Sequence, residues 1–168
     1  HKAQKLTILS RVVGVEVLRT SVRVGDAGTE FIAAARAAPG KITFGSSGNY
    51  GTMHMPMAML ALSQGVQVTH VPYTGAGPAI VGLLGGQVDA LSTGPASIVQ
   101  HVKAGKVRVL AHWGEGRLAS LPDVPSLKEL GVPVEYAQWS GIFVPAGTPE
   151  PVVARLREAA KAAANDDA

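Results

Sequence analysis

The sequence predicts an α/β fold with a mixed, mostly parallel sheet flanked by helices. Three observations carry that prediction. Between Lys41 and His112, short β-branched runs alternate with helix-like runs. The connections are a few residues long, as in right-handed strand–helix–strand crossovers. Three successive strand-to-helix junctions, at Gly45–Thr52, Pro72–Pro78 and Ser92–Pro95, are rich in glycine and hydroxyl residues. In open α/β sheets ligands bind beyond the carboxyl ends of the strands, so these loops would line one rim.

Taken in order, Leu6–Val13 and Val15–Val24 read as two strands around Gly14. Thr29–Ala38 reads as a helix, capped by Thr29 or Asp26 and ended by Pro39-Gly40. Lys41–Phe44 is the next strand. A helix follows from Gly51 or Thr52 to Gln64, with Pro56 near its first turn and Gly65 as its stop. Met53, Met55, Met57 and Met59 alternate, so they spread around this helix and read as packing residues. Val66–Val71 is a strand, Ala79–Leu84 a short helix, Gln87–Leu91 a strand, Ala96–Ala104 a helix and Lys106–His112 a strand. The texture then changes. Trp113–Pro125 is turn-rich, Ser126–Gly131 reads as a short helix, Val134–Val144 as a long strand and Pro151–Ala164 as an amphipathic helix.

Composition narrows the function. The 168 residues are 46% hydrophobic and 16% charged, which is a globular balance. The net charge of +3 is scattered rather than clustered, which argues against a nucleic-acid partner. Having no cysteine, the chain cannot form disulfides, use a thiolate or build Cys-ligated zinc. No apolar run approaches the roughly 20 residues of a membrane span. No signal peptide is visible. An opening at His1-Lys2-Ala3 without Met reads as a processed or cut-down piece.

The most informative stretch is KITFGSSGNYGT, Lys41–Thr52. A strand, a small-residue loop and a helix start aim backbone N–H groups and a positive dipole end at one spot. From Gly45 to Thr52 there is no Lys, Arg, Asp or Glu, so an anion there would rest on amides and hydroxyls. Catalytic patterns are missing. Asn49 stands where a nucleophile elbow around Ser47 needs glycine, no P-loop or dinucleotide fingerprint is present, and the histidines lack metal-ligand spacing. Several residues keep two readings. His54 is a ligand contact or a core-edge histidine. Asp89 orients a rim loop or caps the next turn. Tyr50 and Tyr73 have little to pack on locally, and either face ligand or do not.

Together, GSSGNYGTMH, HVPYTGAGPAIVGLLGGQVDAL, HVKAGKVRVLA, LPDVPSLKELG and WSGIFVPAGTPEPVVARL resemble the substrate-binding proteins of tripartite tricarboxylate transporters, the Bug-type receptors, from about Leu6 to Ala164. The resemblance implies a periplasmic-binding-protein-like lobe in a protein that is periplasmic, not an enzyme and without a cofactor or metal. Such receptors close two lobes on a small carboxylate and deliver it to membrane permease subunits. The implied ligand loops carry Ser46, Ser47, Gly48, Asn49 and Thr52, then Tyr73, Thr74 and Gly75, then the segment Asp89–Pro95; Tyr50 is an extra bulky residue in the first. The candidate ligand-binding set is thus Ser46, Ser47, Gly48, Asn49, Tyr50, Thr52, His54, Tyr73, Thr74, Gly75 and Asp89.

The same resemblance divides the chain into a hinge strand at 1–13, a ligand-binding lobe at 14–133, and a return strand with the first helix of an otherwise unmatched first lobe at 134–168. A lone lobe is expected to bind ligand weakly and to self-associate, as a homodimer or a domain swap. Two rivals share the layout: a cytosolic effector-sensing domain of a transcription regulator, and a small enzyme using the loop as an oxyanion site.

Overall fold

The computed structural model describes residues 3–12, 15–19 and 28–164. The expected turn at Gly14, the strand extension from Thr20 to Val24 and the Asp26 cap lie outside the described residues. The elements are β1 (Ala3–Val12), β2 (Val15–Arg19), α1 (Gly28–Ala37), β3 (Thr43–Ser46), α2 (His54–Gln64), β4 (Thr69–Pro72), α3 (Ala76–Leu84), β5 (Ala90–Thr93), α4 (Pro95–Lys103), β6 (Val107–His112), β7 (Gln138–Pro145) and α5 (Glu150–Ala164). They separate into two compact units.

The smaller unit pairs β1 with β7 antiparallel, Leu6 opposite Phe143 and Val12 opposite Gln138. Helix α5 packs on β1. Its Val153 and Ala160, seven residues apart and so on one helix face, are buried.

The larger unit is a five-stranded sheet in the order β4-β3-β5-β2-β6. β3 runs parallel to β4 and β5, while β2 runs antiparallel to β5 and β6. Four strands therefore share one direction and β2 alone opposes them. Adjacent strand residues face opposite sides, and the core divides accordingly. Ala90 joins Phe44, with Phe31 of α1 and Met57 and Leu60 of α2, in one cluster. Leu91 joins Ile80 and Leu83 of α3 and Ile98 of α4 in the other. Of the α2 methionines, Met53 and Met57 are buried, whereas Met55 and Met59 are partly exposed. Gly65 ends α2 in a left-handed conformation (φ 60°), and Val66 N–H bonds Ala61 O at 3.0 Å.

Strands β3, β4 and β5 each begin two to three residues later, and end one to two residues later, than their sequence expectation. Small residues read as loop are in fact the last rungs of the sheet. Gly45 shows why: a Cβ there would sit 3.1 Å from Tyr73 Cε2 and 3.3 Å from Leu91 Cδ1. The expected helix at Ser126–Gly131 is a single turn. Ser126 and Glu129 do form a reciprocal capping box, with Ser126 N–H donating to Glu129 Oε2 (2.6 Å) and Glu129 N–H to Ser126 Oγ (3.1 Å). Gly131, at φ 75°, stops the helix at once.

Tyr73 also finds packing that was not legible locally. Its ring lies on Gly82 of α3, where a Cβ would come within 2.6 Å of Tyr73 Cζ, and its hydroxyl donates to Gln87 Oε1 at 3.4 Å. Helix propensity alone favours Ala over Gly by about 1 kcal/mol. Gly82→Ala should nevertheless cost about 1–3 kcal/mol through overpacking, measured by urea unfolding. In a Tyr73→Leu background the same change should be neutral or stabilising.

Candidate functional site

The carboxyl ends of β3, β4 and β5 sit side by side, and each strand is followed by a helix whose amino end returns to that edge. At α2, α3 and α4 the N-cap positions are Met53, Gly75 and Gly94, none of which caps through its side chain. None of the three helices has an acidic residue in its first turn. The rim thus gathers three positive dipole ends without side-chain caps, although at α2 the His54 and Met55 N–H groups donate to Gly51 O.

The loop after β3 is held from inside. Ser46 is fully buried, and its hydroxyl donates to Gly48 O (3.1 Å) while lying 2.8 Å from His70 Nε2. The arrangement that satisfies both contacts has the serine proton on Gly48 O and His70 donating to Ser46 through Nε2–H. Ser46 O in turn accepts Tyr73 N–H at 2.9 Å, tying the β3 and β4 loops together. His54, the first residue of α2, accepts Tyr50 N–H at Nδ1 (2.8 Å), which places its own proton on Nε2. The two imidazoles stack with centroids 3.9 Å apart and planes 10° from parallel. Phe44 lies beside this pair, its centroid 4.8 Å from that of His70 and 6.0 Å from that of His54, and Tyr50 lies 5.6 Å from His54, so the four rings form a cluster.

Outside this support, Ser47, Asn49, Tyr50, Thr52 and Thr74 are exposed, and Gly48 (φ 110°) and Gly75 (φ 154°) take conformations suited to glycine. Among the described residues Tyr50 is the one non-glycine with positive φ, at 56°.

Asp89 stands elsewhere. Its Oδ2 accepts from Thr43 N–H (3.0 Å) and Thr43 Oγ1–H (2.9 Å), and its N–H meets Thr43 O at 3.1 Å. That clamps the amino ends of β3 and β5, the opposite end of the sheet from the rim, so the reading of Asp89 as a rim residue gives way to a brace between strands. Tyr73 is turned into its glycine notch, and Ser46 and His54 support the loop from behind. One contributor was missed: His70 sits opposite Phe44 in the β3–β4 register, a juxtaposition that only the pairing reveals. Gly94 and Pro95 fall within the expected Ser92–Pro95 junction, and Ala96 extends it into the first turn of α4. Among the described residues, no group of three or more His, Asp or Glu could hold a metal, and no helix is long and apolar enough to cross a membrane.

A family model described as the tripartite tricarboxylate transporter family receptor matches residues 4–168. A protein in the gbd 5′ region of Cupriavidus necator is 44% identical over 134 residues, 80% of this chain and 41% of its own length. Among solved structures, a periplasmic transporter superposes with a TM-score of 0.87 at 31% identity, covering 96% of this chain and 54% of that one. A protein of R. palustris solved with adipate gives 0.86 at 28% identity, covering 95% and 54%. MatC of Rhodopseudomonas palustris, solved with malate, gives 0.83 at 28% identity, with the same coverage. The chain spans about half the length of the proteins it matches. The larger unit is thus a periplasmic-binding-protein-like α/β lobe.

The half-buried His70 and the buried His112 make the lobe acid-sensitive. Burial, and secondarily the neighbouring His54, lower the pKa of His70. Burial also lowers that of His112, offset in part by Glu129 and reinforced by Arg117. The unfolded chain takes up these protons first as pH falls below about 6.5. Their contribution is therefore complete above that value, declines below it, and levels off once the lowered folded values are passed. The thermal midpoint should drop from about pH 7 to about pH 5.5. His70→Phe keeps a ring in the cluster and should flatten that slope, leaving the share due to His112.

Proposed function

The chain belongs to the tripartite tricarboxylate transporter receptor family, a family of transport receptors rather than enzymes, and on that footing we propose that it binds a small organic acid for delivery to a membrane tripartite carboxylate permease. The larger unit forms one side of the ligand cleft of a two-lobed periplasmic receptor. The smaller unit carries the strands β1 and β7 that cross to the other lobe, with α5 belonging to that lobe. The carrying observation is the rim itself: three helix amino ends without side-chain caps or first-turn acids, beside exposed hydroxyl and amide groups. Such a surface favours a carboxylate over a cation. Adipate and malate in two related structures support the same ligand class.

Ligand contacts fall to Ser47, Gly48, Asn49, Tyr50 and Thr52 after β3, Thr74 and Gly75 after β4, and Gly94–Ala96 after β5. The opposing donors come from the other lobe, so the 168-residue chain alone binds weakly and the protein of full encoded length binds tightly. Calorimetry on both with adipate and malate tests this. Tight, equal binding by both would defeat the shared-cleft reading, and no organic acid binding to the full-length protein would defeat the carboxylate reading.

Ala96→Asp separates ligand binding from stability. Ala96 is exposed in the first turn of α4. An acid there complements the helix dipole and should raise stability by about 0.3–1 kcal/mol. The same negative charge faces the proposed carboxylate and should weaken its binding by roughly tenfold or more, about 1.4 kcal/mol. Thermal midpoints and titrations on the full-length variant check the opposed signs.

A further inference from the structure

Tyr50 is an anomaly that carboxylate binding alone does not explain. A large ring is 83% exposed at the rim, on a residue held at φ 56°. Glycine would take that conformation without strain, and a bulky residue there is a genuine outlier. The conformation is maintained by a dedicated contact, Tyr50 N–H donating to His54 Nδ1 at 2.8 Å. The ring is also backed by His54 at 5.6 Å, on which His70 stacks, with Phe44 packed beside both imidazoles. An exposed aromatic ring on a cluster of three further rings stands beside a surface suited to a carboxylate.

We propose that Tyr50 is a specificity-determining residue and that the receptor's ligand class is aromatic carboxylic acids, with the carboxylate on the rim amides and the ligand ring stacked on Tyr50. The inference rests on the carboxylate-receptor reading above and narrows it. Aromatic pairs in offset or edge-to-face geometry gain about 0.5–1.5 kcal/mol beyond area burial, a roughly 2- to 13-fold affinity difference. His54 is the positioning residue. It fixes the Tyr50 backbone through Nδ1 and the ring through contact.

Benzoate and cyclohexanecarboxylate share size and charge and differ in aromaticity, so their affinity ratio isolates stacking. Titration of the full-length protein should favour benzoate by a few-fold to tenfold. Tyr50→Phe should keep the ratio. Tyr50→Gly should bring it to about one, and its thermal midpoint should hold or rise, because glycine accepts φ 56° freely. A wild-type ratio of one, or a ratio unchanged in Tyr50→Gly, overturns the proposal. Binding of adipate or malate without either cyclic acid overturns the aromatic class and leaves the carboxylate reading standing. Failure of all four acids overturns both.

Discussion

The hydrogen bond from His70 to the buried Ser46 hydroxyl is the constraint on which the rim depends. Ser46 is the last residue of β3, opposite Pro72 of β4. Its carbonyl takes Tyr73 N–H and its hydroxyl turns inward to Gly48 O, so one residue sets the exit direction of two loops. His70 then serves as the floor on which His54 stacks, and His54 holds Tyr50. A neutral hydrogen bond nets about 0.5–1.5 kcal/mol, while a left-handed non-glycine residue costs of order 1–3 kcal/mol. No single contact comfortably offsets the Tyr50 conformation. The Tyr50–His54 hydrogen bond and the three rings clustered behind Tyr50 act together against that cost.

The two ends of the sheet are built on different physics. At the amino end, Asp89 and Thr43 exchange four short hydrogen bonds and lock β3 to β5. At the carboxyl end, side chains are kept away from the helix starts. Tyr73 could have occupied that space, but Gly45 and Gly82 open a notch that draws its ring down onto α3. The glycines thus act on the rim indirectly. They remove a bulky ring from one loop, while Tyr50, in the neighbouring loop, is held out.

Alternation of strand and helix made the architecture legible, because periodicity reports which residues face a core. Element ends were harder. Gly45, Ser46, Ser92 and Thr93 look like loop residues by type, yet they are buried rungs of the sheet, and at Gly45 the Tyr73 ring and Leu91 approach closely. That is a tertiary demand with no local signature. Asp89 illustrates the same limit: a carboxylate near a glycine-rich junction reads as functional until the Thr43 partner, 46 residues away, is known. The loop from Ser47 to Thr52 was readable because its chemistry is local. Its support by His70 was not, since Phe44 and His70 meet only through strand pairing.

The lack of Lys and Arg in the loops after β3, β4 and β5 bears on how such a surface works. A buried ion pair brings a large desolvation cost on forming and leaves an uncompensated charge when broken. Helix amino ends each contribute only about 0.3–1 kcal/mol toward an anion, and their N–H groups return to water without leaving a full charge behind. Affinity then has to come from many weak donors acting together, which requires them to be fixed in advance. The part-buried Ser46–His70 bond, the His54 acceptor and the Asp89 brace supply that rigidity from behind the rim. Strength through preorganisation, rather than through a single strong ion pair, allows a ligand to be held and then released whole.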